Sequence, residues 1–389
     1  MPSASATQAA EGIERLERAL PQIDAQPHAR AVLGAALTAG GEASHAYLFH
    51  GPSGSGKRAV ARAFAAELLM EGARNAQTVA ERVARDAHPD LTWVRPSGAA
   101  EMLVGDIEQP VVAAATRTPF ESARRVFVLD GVEALNDQAA NRLLKTLEEP
   151  PAFVHLVLLS ERVEDVLPTI ASRCQQIRFD PAPASRIAEQ LLADGVESER
   201  ARACARLSLG DAGLARRLAS EEGEQLRRAA EEFVRCAFAG NAHTRAWMPL
   251  LESARGAAEA EGERAAELVA LELELIPSKE RKRHEREALE ARRRGERRVR
   301  VQTLDLALGL GELWLRDVLC VCEGARDLIF ACDRSEQVEA DAADASARAL
   351  REALELLAGA RLGLALNVSE ELALEALAYR LQSLLARTR

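Results

Sequence analysis

The chain has 389 residues, 48% of them hydrophobic and 28% charged, with a net charge of −10. This is a globular composition, long enough for two or three domains at roughly 150 residues each. No apolar run approaches the ~18 residues a membrane-spanning helix needs, and the acidic balance argues against a protein that coats nucleic acid by itself. No basic segment followed by an apolar one opens the chain, so a cytoplasmic protein is predicted. Aromatic residues are only 4%, which leaves the cores to Leu, Val and Ala and favours helices.

Residues 1–28 read as an N-terminal extension, the first 12 small, polar and expected to be disordered. From residue 29 to 182 strand-like and helix-like patterns alternate. Short apolar runs lie at Ala46 to Phe49, Leu91 to Val94, Val126 to Leu129, His155 to Leu159 and Ile177 to Phe179. Strands alternating with helices predict a parallel sheet covered on both faces, an α/β fold.

The first run leads straight into Gly51-Pro52-Ser53-Gly54-Ser55-Gly56-Lys57-Arg58, a GxxxxGK phosphate-binding loop followed by the helical run Ala59 to Met70. Glycines are needed there because the backbone amides must turn inward around phosphate oxygens, and the helix N-terminus adds its dipole. Gly51, Ser53, Gly54, Gly56, Lys57 and Arg58 are therefore the nucleotide-site candidates. The hydroxyl that would hold Mg²⁺ after the lysine is replaced by Arg58.

At the end of the third run, Asp130 is placed to organise Mg²⁺ through water, but the next position, where a hydrolase wants a carboxylate, is Gly131. Glu133 reads as a surface or helix-initiating residue. Asn136 or Asp137 can cap a helix whose Ala140, Leu143, Leu144 and Leu147 form one apolar face, ended by Pro150 and Pro151.

After Asp180-Pro181-Ala182-Pro183 the strand signals stop. Residues 183–220 are expected to form a small helical unit closed by the Gly210-Asp211-Ala212-Gly213 turn, and 221–389 a larger helical domain with a basic insertion at about 277–300. Between Lys279 and Arg300 eleven Lys or Arg face five Glu. Two readings of that stretch stand: a solvated helix with i,i+4 pairs or a linker, or a contact for the backbone of primer-template DNA or another subunit. It holds no aromatic for base stacking. Six cysteines at 174, 204, 236, 320, 322 and 332 lack metal-ligand spacing and read as reduced, buried thiols; no metal is predicted.

The stretch Gln138 to Pro151 (QAANRLLKTLEEPP) together with Thr169-Ile170-Ala171-Ser172-Arg173-Cys174 resembles the clamp-loader branch of the AAA+ ATPases, and within it the delta-prime subunits of bacterial DNA polymerase III. His88-Pro89-Asp90, Asn367-Val368 and Leu372 to Glu375 resemble the same subunits. The resemblance implies an AAA+ phosphate-loop core at 29–182, a helical lid at 183–220 and an all-helical collar at 221–389. It implies that Arg173 reaches the ATP of a neighbouring subunit, that Asp130 is the strand-end acid, and that Ser160 can fill the polar position after the fourth strand. Gly213 stands where hydrolysing relatives carry an arginine that senses the γ-phosphate. Some relatives carry a four-cysteine zinc module between the first helix and the second strand; residues 70–90 contain no cysteine, so no zinc is expected.

The implied function is a clamp-loader subunit with absent or weak ATPase of its own. It would act with motor and clamp-opening subunits to place the sliding clamp on primer-template DNA, with ATP or ADP in its own loop left open. The alternatives are a motor ATPase of the same family, a free-standing phosphate-loop enzyme, and an interaction protein with a vestigial loop.

Overall fold

The protein is described here from a computed structural model. It covers residues 23–386, apart from 39–42, 72, 74, 97–100, 276–277, 344 and 365–368, together with Glu14 and Glu17. The first 12 residues, Asn367 and Val368, and the start assigned to the basic insertion at 277 lie outside the described residues. The chain divides into two units, Met1–Ala182 and Pro183–Arg389.

In the first unit the strands are β1 (Ala46–His50), β2 (Leu91–Val94), β3 (Arg125–Asp130), β4 (Val154–Ser160) and β5 (Gln175–Arg178), all parallel in the order β2-β3-β4-β1-β5. Their central strands are continuous apolar runs because both faces are covered. Tyr47, Phe49, Val126, Val128, Val157 and Leu159 pack on one face against helices α1 (Pro27–Ala36), α2 (Lys57–Met70) and α3 (Ala76–Ala84). Leu48, Phe127, Leu129, Leu156 and Leu158 pack on the other, against the short helix α4 (Val104–Ile107), α5 (Asp137–Glu148) and α6 (Pro168–Ala171).

The cap of α5 is Asn136, whose side chain accepts from the Ala139 amide at 2.9 Å. Two boundaries differ from expectation. The core starts before residue 29: Ile23 is fully buried, and α1 begins at Pro27. The edge strand β5 starts two residues earlier than its apolar run, because three of its four residues are exposed and polar.

β1 sits between β4 and β5, so the chain leaves the sheet's carboxyl edge there with neighbours on both sides. That is where ligands bind in open parallel sheets.

The second unit is helical: α7 (Ala184–Ala193), α8 (Ser198–Leu207), α9 (Ala212–Ala219), α10 (Glu221–Phe238), α11 (Met248–Leu275), α12 (Ser278–Cys322), α13 (Ser335–Ala342), α14 (Ala347–Leu364) and α15 (Glu370–Leu385). The Gly210-Asp211 turn joins α8 to α9 instead of closing the small helical group, with Asp211 capping α9 through the Leu214 amide at 2.8 Å. The basic stretch is not an interruption. It is the first half of α12, a helix of 45 residues and about 68 Å. Arg292 pairs with Glu296 at 2.7 Å and Arg294 with Glu290 at 3.9 Å, the i,i+4 pattern that lets a charge-dense segment stay helical. α11 packs along α12, and a Cβ at Gly262 would meet the movable Glu296 carboxylate.

Arg227 of α10 is fully buried, donating to both oxygens of Asp333 at 2.8 and 2.7 Å and to Glu231 at 2.8 Å. Trp314 of α12, also buried, donates through Nε1 to Asp341 at 3.0 Å. These polar anchors hold the segment after α12, and α13, onto α10 and α12.

Candidate nucleotide site and trans-acting arginine

The loop between β1 and α2 turns on three glycines with positive φ: Gly51 (145°), Gly54 (69°) and Gly56 (92°). At Gly51 the requirement is doubled, because a Cβ there would collide with the Phe179 carbonyl. Gly56 precedes α2 with no side-chain cap, which leaves the helix N-terminus to the loop itself. Lys57 is buried, and its ammonium donates to the carbonyls of Gly51 and Pro52 (2.7 Å to the latter) and approaches the Ser55 hydroxyl at 3.4 Å. Burial pulls the Lys57 pKa below its ordinary value and Arg58 adds to that, while Glu161, Glu133 and Asp130 act against it. A phosphate entering the loop would trade those carbonyls for its own oxygens. Ser53 is exposed at the tip.

Asp130 ends β3 nearly buried, as a strand-end acid should, but it does not present an open carboxylate. Arg58 Nε donates to its Oδ2 at 2.6 Å, and Arg95 Nε lies 3.7 Å from the same oxygen. Asp130 is the residue expected to organise Mg²⁺ through water, and in the structure arginine lies against it. The hydroxyl ligand is absent, and a guanidinium lies against the carboxylate, so the donor set does not fit the ion. Among the described residues no cluster of three or more His, Cys, Asp or Glu is arranged to hold a metal.

Gly131 has φ 91° and ψ 49°, a left-handed conformation that L side chains rarely adopt. The lost carboxylate is therefore more than a missing side chain, since the backbone there has taken a shape suited to glycine. Glu133 lies in the first turn of a short 3₁₀ helix at Val132–Ala134, as the helix-initiating reading has it, and is half-buried. Its Oε1 accepts weakly from the Glu161 amide at 3.4 Å, and Oε2 is buried without a partner. Ser160 pairs with His50 across β4 and β1, one strand from the loop, yet its hydroxyl donates to the Arg162 carbonyl at 2.8 Å and accepts from the Arg162 amide at 3.2 Å. It closes its own turn and does not join the loop.

Arg173 lies two residues before β5, at the amino edge of the sheet. Gln175 pairs with Tyr47 and Arg178 with His50, so the length of β5, roughly 10 Å, separates that edge from the loop. Arg173 Nη1 donates to the Thr169 carbonyl at 2.8 Å and Nη2 to Glu148 Oε1 at 2.6 Å. The side chain is 36% exposed and that of Glu148 50%. Such a pair is worth about 0–1 kcal/mol, so exchanging it for another anion costs little. Burial pushes the thiol of the neighbouring Cys174 up to about 12, away from the thiolate.

Two positioning residues escape a reading of the sequence. Gln26, 5% exposed, donates to the carbonyls of Ser55 at 3.0 Å and Asp180 at 2.7 Å and accepts from the Asp180 amide at 2.9 Å, tying the phosphate loop to the end of β5. Nothing local distinguishes it, because its partners are 29 and 154 residues away. Asp90, fully buried, accepts from the amides of Phe120 (2.5 Å), Glu121 (2.9 Å) and Ser122 (2.9 Å) and fixes the loop before β3. The His88-Pro89-Asp90 motif was visible as a resemblance, while its loop-anchoring role needed the fold.

The family model described as DNA polymerase III, delta subunit, matches residues 25–183. DNA polymerase III subunit delta′ of Pseudomonas aeruginosa is 37% identical over 165 residues, 41% of this chain and 50% of that protein. The Bacillus subtilis subunit delta′ is 32% identical over 173 residues, 42% of this chain and 51% of its own. The chain thus matches about half the length of these curated relatives. Among solved structures, a DNA polymerase III gamma subunit-related protein of Thermotoga maritima covers 88% of this chain and 96% of its own at 16% identity, with a TM-score of 0.43.

Proposed function

We propose that this chain, whose residues 25–183 match the DNA polymerase III delta subunit model and resemble delta′ subunits, is a clamp-loader subunit that acts on a neighbouring subunit's ATP. Arg173 is the acting residue, offered in trans. The observation that carries this reading is its position at the amino edge of the sheet, across β5 from its own phosphate loop and held by a half-exposed carboxylate and one backbone carbonyl. An arginine so placed does not serve the nucleotide of its own loop. It is accessible to a phosphate presented from outside.

In this reading the chain's own loop holds ATP or ADP without turning it over, since Arg58 replaces the metal-binding hydroxyl and Gly131 the water-activating carboxylate. The helices at 183–220 serve as a lid, and those from 221 join a collar with the motor and clamp-opening subunits. The assembly places a sliding clamp on primer-template DNA. A guanidinium at the γ-phosphate stabilises the charge that develops during transfer, an effect of about 10³ to 10⁵ in rate.

The test is reconstitution with motor and clamp-opening subunits and measurement of DNA-stimulated ATPase. Arg173→Ala is expected to lower the rate by about 10³ while the subunit still assembles and melts as before. Undiminished turnover in an assembled complex would overturn the reading.

A further inference from the structure

We propose that the loop at 51–58 takes the phosphates of a nucleoside di- or triphosphate without a divalent cation, the Arg58 guanidinium supplying the charge that Mg²⁺ would otherwise bring. This rests on the reading that the loop holds a nucleotide and specifies in what form.

The argument begins with Asp130. Its carboxylate, nearly buried at the end of β3, has Arg58 at 2.6 Å and Arg95 at 3.7 Å. Two guanidinium groups lie against that one carboxylate, and arginine keeps its charge at any relevant pH. A divalent ion entering there would displace the Arg58 contact and meet two like charges.

The second step is reach. Arg58 stands in the first turn of α2, directly after Lys57, and is 66% exposed on its side chain although Asp130 is only 8% exposed. A guanidinium is a planar fork of five donors, able to bridge a carboxylate on one side and a phosphate oxygen on another. The left-handed glycines at 51, 54 and 56 and the uncapped start of α2 supply the amide cradle, and Lys57 the second cation.

The third step is persistence. With Gly131 in a left-handed conformation in place of a carboxylate, the site has no group at that position to activate water. A nucleotide bound here stays as a structural ligand, so its affinity is not tied to a hydrolytic cycle or to metal supply.

The experiment titrates fluorescent N-methylanthraniloyl ADP and ATP into the full chain, once in excess magnesium and once in excess EDTA. The wild type is expected to bind equally in both, within about twofold, and Lys57→Ala to lose binding. Arg58→Thr is expected to weaken binding in EDTA by about tenfold, the worth of one charge-assisted hydrogen bond, and to recover it when magnesium is added. Thermal melts check that each variant is folded, and Arg58→Lys, which keeps the charge, is expected to remain insensitive to EDTA. Wild-type binding that requires magnesium would overturn the metal-free form while leaving the loop a nucleotide holder. Binding under neither condition would remove both ideas, and binding in EDTA unchanged by Arg58→Thr would remove the role given to Arg58.

Discussion

Arg227 in the helical unit and Arg173 in the sheet unit both sit on carboxylates at hydrogen-bonding distance, and the two pairs do opposite things. Arg227 is fully buried, with Asp333 gripping it from both oxygens and Glu231 from a third position. Taking any partner away strands a charge in a medium that cannot solvate it. Arg173 has one carboxylate and one carbonyl and stands half in water, so its partner is exchangeable. The same side chain is locked in place where burial denies it alternatives and exchangeable where exposure leaves them open. Arg58 follows the exposed pattern, resting on a nearly buried acid while most of its own surface meets solvent.

The sharpest way to break this comparison on the stability side is Arg227→Ala. It takes from Asp333 the guanidinium that grips both its oxygens and leaves Glu231 with Arg334, and we expect a loss of about 3–5 kcal/mol in urea unfolding of the full chain. Arg173→Ala in the same assay should cost less than about 1 kcal/mol. Equal losses would mean that burial does not separate the two arginines.

His155 extends the comparison to a buried group that must stay uncharged. It is 3% exposed in β4; Nδ1 lies 3.0 Å from the Ser44 carbonyl and Nε2 3.3 Å from Arg124 Nη1. That arrangement suits a neutral ring donating through Nδ1 and accepting at Nε2. Burial, aided by Arg124 and His45, lowers its pKa to about 4 against the hydrogen bond to Ser44. The unfolded chain therefore binds this proton first as pH falls. Stability from His155 is whole above the unfolded pKa of about 6.5 and is lost down to about 4, a drop on the order of 3 kcal/mol. Denaturant titrations at stepped pH should show that slope, and His155→Gln should remove it; an unchanged slope in the variant would put the acid sensitivity elsewhere.

What could be read from the residues alone follows from the range of the forces involved. β1 to β4 were legible because a strand covered on both faces is a run of apolar residues, and α5 because Asn136 and Pro150 mark its ends locally. β5 was displaced by two residues because an edge strand can be polar. The loop was legible as far as Lys57. Its fate was not, since Arg58 and Asp130 are 72 residues apart and only the sheet brings them together. Glu133 reads as a surface or helix-initiating residue in a one-dimensional pattern, and only packing shows one of its oxygens buried. The basic stretch looked like an interruption because its composition changes, while the chain stays helical through it.

The smallest expected effect is the most discriminating. Glu148→Ala removes the carboxylate that holds Arg173 without touching the guanidinium. If the pair is only structural, deleting either partner should do the same thing, and Glu148→Ala should lower the ATPase of the assembled complex as much as Arg173→Ala does. If the guanidinium itself acts on a neighbour's phosphate, Glu148 is a resting partner that competes for it. Glu148→Ala should then cost less than about 1 kcal/mol of stability, as an exposed pair does, and leave turnover within a few-fold of wild type. In that case the two variants differ in rate by about 10³ although they break the same ion pair, and that ratio measures what Arg173 does beyond holding Glu148.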